Sequence, residues 1–69
     1  MKLSARNVLK GKIVQMKRGA VNAEVIIQLP GGEQIVSIIT MASVKSLGLK
    51  KDREAYAVIK ASNVIIAID

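Results

Sequence analysis

Residues 3–17 alternate apolar and polar side chains over most of their length and predict a long, bent first strand. Its middle, Lys10-Gly11-Lys12-Ile13-Val14-Gln15-Met16, sets lysines around a glycine. A glycine inside a strand marks a bulge or a close approach of another backbone. Lys17-Arg18-Gly19 predicts a turn. From Val21 the period is two, with Val21, Ala23, Val25, Ile27 and Leu29 on one face, Asn22, Glu24 and Gln28 on the other, and Ile26 interrupting the polar side. Pro30-Gly31-Gly32 joins a fixed φ to two permissive glycines, so residues 33–40 are expected to return antiparallel to the second strand.

Thr40 can cap a short helix over residues 41–47, which Gly48 would end in a left-handed conformation, with Val44 and Leu47 facing the core. Lys50-Lys51-Asp52-Arg53 is a polar connection, followed by expected strands over residues 54–60 and 64–68. The predicted class is all-β, a five-stranded OB-type barrel with one short helix between strands 3 and 4; a small SH3-like barrel is the alternative. The last strand is apolar on both sides, with Val64, Ile66 and Ile68 on one and Ile65 and Ala67 on the other. A domain this small has no second core to cover it, so a partner chain is expected to.

Composition sharpens that expectation. Residues 1–69 form one domain, with no internal repeat, and a chain this short buries only about 60% of the surface that its unfolded form exposes. With no cysteine and no histidine there is no disulfide or thiolate site, and the commonest transition-metal ligand is missing, which leaves self-association as the stabilising device. Half of the residues, 51%, are hydrophobic, yet no apolar run approaches the roughly 20 residues of a membrane span, and the first residues lack the apolar core of a signal peptide. A cytoplasmic protein with no membrane partner is expected. The net charge of +6, from 11 Lys and Arg against 5 acids, predicts a negatively charged partner: nucleic acid, anionic lipid or a small oxyanion.

Two short runs are built to hold an anion. Ser4-Ala5-Arg6-Asn7 and Lys60-Ala61-Ser62-Asn63 each combine a small residue and a hydroxyl with a cation, and both are poor in acids nearby. Arg6 offers a planar fork of N–H donors, Lys60 a compact ammonium, and Ser4 and Ser62 rotatable hydroxyls, while Ala5 and Ala61 leave backbone N–H groups accessible. Taken alone, the first run is a solvated strand start and Lys60 an edge lysine that discourages aggregation. The order of motifs along the whole chain changes those odds. Ser4-Ala5-Arg6-Asn7, Leu9-Lys10-Gly11-Lys12-Ile13-Val14, Gly19-Ala20-Val21-Asn22-Ala23-Glu24-Val25, residues 37–49 and Ala57-Val58-Ile59-Lys60-Ala61-Ser62 together resemble the molbindins, the Mop-type, molybdenum-pterin-binding proteins whose TOBE-like module also occurs in molybdate transporters and regulators.

That resemblance implies binding of molybdate, and of tungstate, at subunit interfaces of a homo-oligomer, a hexamer arranged as a trimer of dimers, serving storage or homeostasis of the oxyanion. It implies a first site formed by Ser4, Ala5, Arg6, Lys60, Ala61 and Ser62, with Ser37 and Thr40 as further hydroxyls. A second site on a symmetry axis would be lined by Gly19, Ala20, Val21 and Asn22 beside Lys17 and Arg18. Molybdate carries its own oxygen shell, so it needs donors and positive charge but no Cys or His ligand.

The alternative function is a small basic OB-type nucleic-acid-binding module. Single-strand recognition on such folds depends on stacked aromatic side chains, and Tyr56 is the one aromatic residue here, so partners other than nucleic acid are favoured. The lack of Phe and Trp also leaves little for a pterin ring to stack on. An enzyme is not expected, because Glu24, Glu33, Asp52, Glu54 and Asp69 are scattered and no nucleophile with its base can be assembled. Lys10 and Lys12 are read as a solvated strand face, and Pro30-Gly31-Gly32 as turn chemistry without the Lys-Ser/Thr of a phosphate loop.

Overall fold

A computed structural model describes all 69 residues, Met1–Asp69. The element order is β1 (Asn7–Arg18), β2 (Asn22–Gln28), β3 (Gln34–Thr40), α1 (Met41–Leu47), β4 (Glu54–Ile59) and a 3-10 turn (Ala61–Asn63). The four strands form one antiparallel sheet in the order β3-β2-β1-β4. β1 is long enough to serve two neighbours: its first half pairs with β4, from Asn7 opposite Ile59 to Lys12 opposite Glu54, and its second half pairs with β2. The sheet therefore curls about β1 into an OB-like half-barrel.

The bend lies just beyond Gly11. Ile13 opposes Ile27 and Gln15 opposes Ile26, so Val14 is an extra residue in the ladder, a β-bulge. Its effect on side chains is a change of phase. Leu9, Gly11 and Ile13 point inward before it and Met16 after it, which keeps Gln15 and Lys17 in solvent. Gly11 is the close approach: a Cβ there would lie 2.5 Å from the Gln28 carbonyl oxygen and 2.6 Å from Ile27 Cγ2.

The core is small. Ile13, Val25, Ile27 and Ala57 form its centre, with Leu9, Met16, Leu29, Ile35, Ile39, Leu49 and Ala55 packed around them. The period-two face of β2 appears as expected at Ala23, Val25 and Ile27, whereas Val21 is exposed outside the strand. The loop before β2 is closed by Gly19 N–H donating to Asn22 O (2.8 Å), and Val21 O accepts from Met41 N–H (2.7 Å), so Val21 belongs to a turn.

At only seven residues α1 cannot sustain itself and is defined by its ends. Thr40 Oγ1 accepts from Ser43 N–H (3.1 Å). Gly48 is left-handed (φ 63°), its N–H donates to Lys45 O (3.1 Å), and Leu49 N–H donates to Val44 O (3.0 Å), a Schellman ending. Val44 is buried as expected, but Leu47 is 60% exposed. The chain reverses at Gly48, and Leu49 takes the inward position that helical spacing assigned to Leu47. The connection to β4 turns at Asp52 (φ 73°), where Arg53 Nη1 donates to Gly48 O (3.0 Å).

The expected fifth strand is absent: the chain has four strands, and residues 64–69 pair with nothing. Ile65, Ile66 and Ile68 are 92%, 83% and 93% exposed. Beyond the 3-10 turn the segment stays exposed, so its apolar sides find no cover within the chain. No helix is long and apolar enough to cross a membrane.

Candidate functional site

The antiparallel pairing of β1 with β4 sets the geometry of the donor runs. Asn7 opposes Ile59 at the end of the ladder, and Asn7 Nδ2 donates to Ile59 O (3.2 Å). Ser4-Ala5-Arg6 immediately precedes Asn7, and Lys60-Ala61-Ser62 immediately follows Ile59. The two runs, 54 or more residues apart in sequence, thus leave the same end of adjacent strands, which lie about 5 Å apart.

Their side chains are open to ligand. Ser4, Arg6, Lys60, Ala61 and Ser62 are exposed and Ala5 is half-buried. Neither Arg6 nor Lys60 is held by a carboxylate: the chain's one ion pair joins Lys10 Nζ to Glu54 Oε1 at 3.5 Å, at the far end of β4. No side-chain hydrogen bond engages Ser4, Arg6, Lys60 or Ser62. Within the 3-10 turn, Asn63 N–H donates to Lys60 O and Val64 N–H to Ala61 O, leaving the N–H groups of Ala61 and Ser62 without a backbone acceptor. The arrangement is a cationic, donor-rich rim with nothing to neutralise it, suited to charge-assisted bonds with a small anion.

Gly19, Ala20, Val21 and Asn22 lie at the opposite end of β1, in the exposed loop before β2, with Lys17 and Arg18 exposed beside them. The N–H of Gly19 is engaged, whereas those of Ala20 and Val21 have no backbone acceptor. The two groups of residues therefore lie apart within one chain, at opposite ends of β1. Ser37 and Thr40 are on β3, divided from the first runs by β2 and β1. Thr40 Oγ1 is committed to the helix cap and also donates to Ser43 Oγ (2.9 Å), and Ser37 faces the inside of the half-barrel.

Two concave regions escaped the sequence reading. One, of about 530 Å³, lies over Gly11 between Lys10, Lys12, Gln28, Pro30 and Glu54; its signal was the glycine between lysines, although the Glu54 carboxylate inside it offsets the charge. The other, of about 330 Å³, is the apolar opening of the half-barrel, lined by Ile13, Ile27, Ile39, Leu49 and Ala55 among others.

The sequence profile of the TOBE domain matches residues 3–66. Molybdenum-pterin-binding protein 1 of Clostridium pasteurianum is 50% identical over 66 residues, 96% of this chain and 97% of its own. The chain belongs to the TOBE family, among the Mop proteins. Solved Mop-type structures agree in three dimensions. MopII from Clostridium pasteurianum superposes with a TM-score of 0.92 at 48% identity, over 97% of this chain and all of that one. The cytoplasmic molybdate-binding protein ModG, with molybdate bound, superposes with a TM-score of 0.91 at 54% identity, over 94% of this chain and 46% of that one. The OB-like fold is thus the Mop fold, shared with MopII and ModG.

Proposed function

We propose that this protein binds molybdate, and tungstate of the same shape and charge, in the cytoplasm as a non-enzymatic store or buffer of the oxyanion. The observation that carries the reading is the delivery of Ser4-Ala5-Arg6 and Lys60-Ala61-Ser62 to one end of the β1–β4 pair, with both cations unpaired. A tetrahedral dianion can accept from the Arg6 guanidinium, the Lys60 ammonium, the Ser4 and Ser62 hydroxyls and the free N–H groups of Ala61 and Ser62. The likeness to MopII and to molybdate-bound ModG supports the choice of anion.

One exposed rim covers only one side of a ligand, so the shell is completed at an interface of a homo-oligomer, a hexamer built as a trimer of dimers. Ser37 and Thr40 reach such a site only from a second protomer, since two strands separate them from the runs. The loop Gly19-Ala20-Val21-Asn22 forms the second site, where the N–H groups of Ala20 and Val21 converge from several copies.

The test is calorimetric titration of the assembled protein with molybdate, tungstate, sulfate and phosphate. Each charge-assisted bond contributes about 1.5–3 kcal/mol, so Arg6→Ala and Lys60→Ala should each weaken molybdate binding by roughly tenfold or more. Unchanged affinity in both variants removes the first site. Salt-sensitive retention of an oligonucleotide with no heat from molybdate would support the nucleic-acid alternative instead.

A further inference from the structure

One side-chain hydrogen bond in the chain spans distant elements. The others join residues three to five positions apart, around α1 and its exit. The exception runs from Asn7 Nδ2 to Ile59 O (3.2 Å), between residues 52 positions apart, and ties the first residue of β1 to the last residue of β4. It is part-buried and sits where the two donor runs leave the ladder, since Arg6 precedes Asn7 and Lys60 follows Ile59.

Nothing else polar holds that mouth together. Residues 1–6 make no backbone hydrogen bond, and the 3-10 turn is closed only on itself, with Asn63 N–H donating to Lys60 O (2.8 Å) and Val64 N–H to Ala61 O (3.3 Å). Arg6 and Lys60 are exposed and have no carboxylate partner. As like charges at the ends of neighbouring strands they repel each other when no anion lies between them. The Asn7 amide opposes that splaying from one residue away on either run. Water would satisfy the Ile59 carbonyl at a strand end equally well, but it would not fix the distance between the runs.

We propose that Asn7 is a positioning residue of the oxyanion rim: by holding the end of β4 to the start of β1 it sets the span between Arg6 and Lys60, and that span favours molybdate over the smaller sulfate. The inference rests on the molybdate reading above and adds to it the residue that confers selectivity. Both anions are tetrahedral and doubly charged, so attraction to two cations does not separate them. Donors held at fixed distances do, because specificity is a difference of affinities and a preorganised shell fits one radius better than another. A rim whose runs were free to move would follow the smaller anion inward and lose the distinction. Asn7 acts through Ile59 and the turn that follows it, without touching the ligand.

The test is calorimetric titration of the assembled protein with molybdate and with sulfate, for the parental chain, for Asn7→Ala, which removes the amide, and for Asn7→Asp, which keeps its shape but cannot donate to a carbonyl when ionised. The added charge of Asn7→Asp weakens both dianions alike, so their ratio still reports on spacing. The ratio of molybdate to sulfate affinity is expected to fall roughly tenfold in both variants, the equivalent of one hydrogen bond. A parental protein that binds both anions alike, or an unchanged ratio in either variant, overturns the role of Asn7 and leaves molybdate binding standing.

Amide hydrogen exchange in the anion-free protein supplies a second measurement. Asn7→Ala should speed exchange at Asn63 and Val64, whose N–H groups close the 3-10 turn, and leave Gly48 and Leu49 at the end of α1 unchanged. Equal acceleration at both places, or none at either, overturns the positioning role. A parental protein that gives no heat with molybdate, while Asn7→Ala loosens the turn alone, would sink the binding reading and leave Asn7 as the tie between the runs.

Discussion

Gly11 shows how one missing Cβ fixes the curl of the sheet. The Gln28 carbonyl and the Ile27 side chain occupy the space that a methyl group would take, and both are anchored in the β1–β2 ladder. Neither can swing away as a long flexible side chain would. Gly11→Ala should therefore destabilise the fold by about 1–3 kcal/mol, the range for overpacking a well-filled site, read as a lower midpoint in urea unfolding. A variant with the parental midpoint would mean that β1 and β2 separate freely at this point. The sequence pointed to this glycine as a bulge or a close approach; the bulge itself falls at Val14, which no local residue preference distinguishes from its neighbours. The same division holds for the site. Residue types singled out Ser4, Arg6, Lys60 and Ser62, because donors and cations without acids form a local pattern. Their meeting at one end of the sheet depends on Asn7 opposing Ile59, a long-range register that periodicity alone does not set.

At the scale of elements, the short helix is the part most dependent on single side chains. Thr40 Oγ1 satisfies one orphan N–H at the start of α1, and Gly48 and Leu49 satisfy carbonyls at its end. Thr40→Ala should cost about 1 kcal/mol and Thr40→Ser should recover most of it, as measured by thermal or urea unfolding. Equal losses in both variants would show that the methyl group, not the oxygen, matters at this position. This helix was legible because its caps are local signals, as were the turn at Pro30-Gly31-Gly32 and the alternation of Ala23, Val25 and Ile27. Leu47 was misplaced because helical spacing assumes that the helix continues, whereas the left-handed Gly48 hands the inward position to Leu49. Residues 64–68 have all the local features of a strand. What they lack is a neighbour in their own chain, and pairing is a property of the fold that alternation does not report.

The whole molecule leaves much of its apolar surface open. Only six of its 69 residues are buried, and Val36, Ile38, Ile65, Ile66 and Ile68 are among the large apolar side chains left in water. Each element is formed, yet the sum lacks the burial that offsets the ordering entropy of a small domain. In the homo-oligomer proposed above, stability is borrowed from association, and anything that binds only the folded state makes melting depend on its concentration. For a dimer, each tenfold rise in protein concentration adds about 0.7 kcal/mol per chain, which corresponds to roughly 3–6 °C in Tm for a domain of this size. Differential scanning at three concentrations spanning a hundredfold should show that rise in the parental protein. It should be absent from a chain truncated after Asn63, which loses the exposed apolar residues 64–69 and whose melting should also fall to the lowest of the series. A parental Tm independent of concentration, in a range where light scattering finds single chains, would mean that four strands and one short helix suffice to hold this fold.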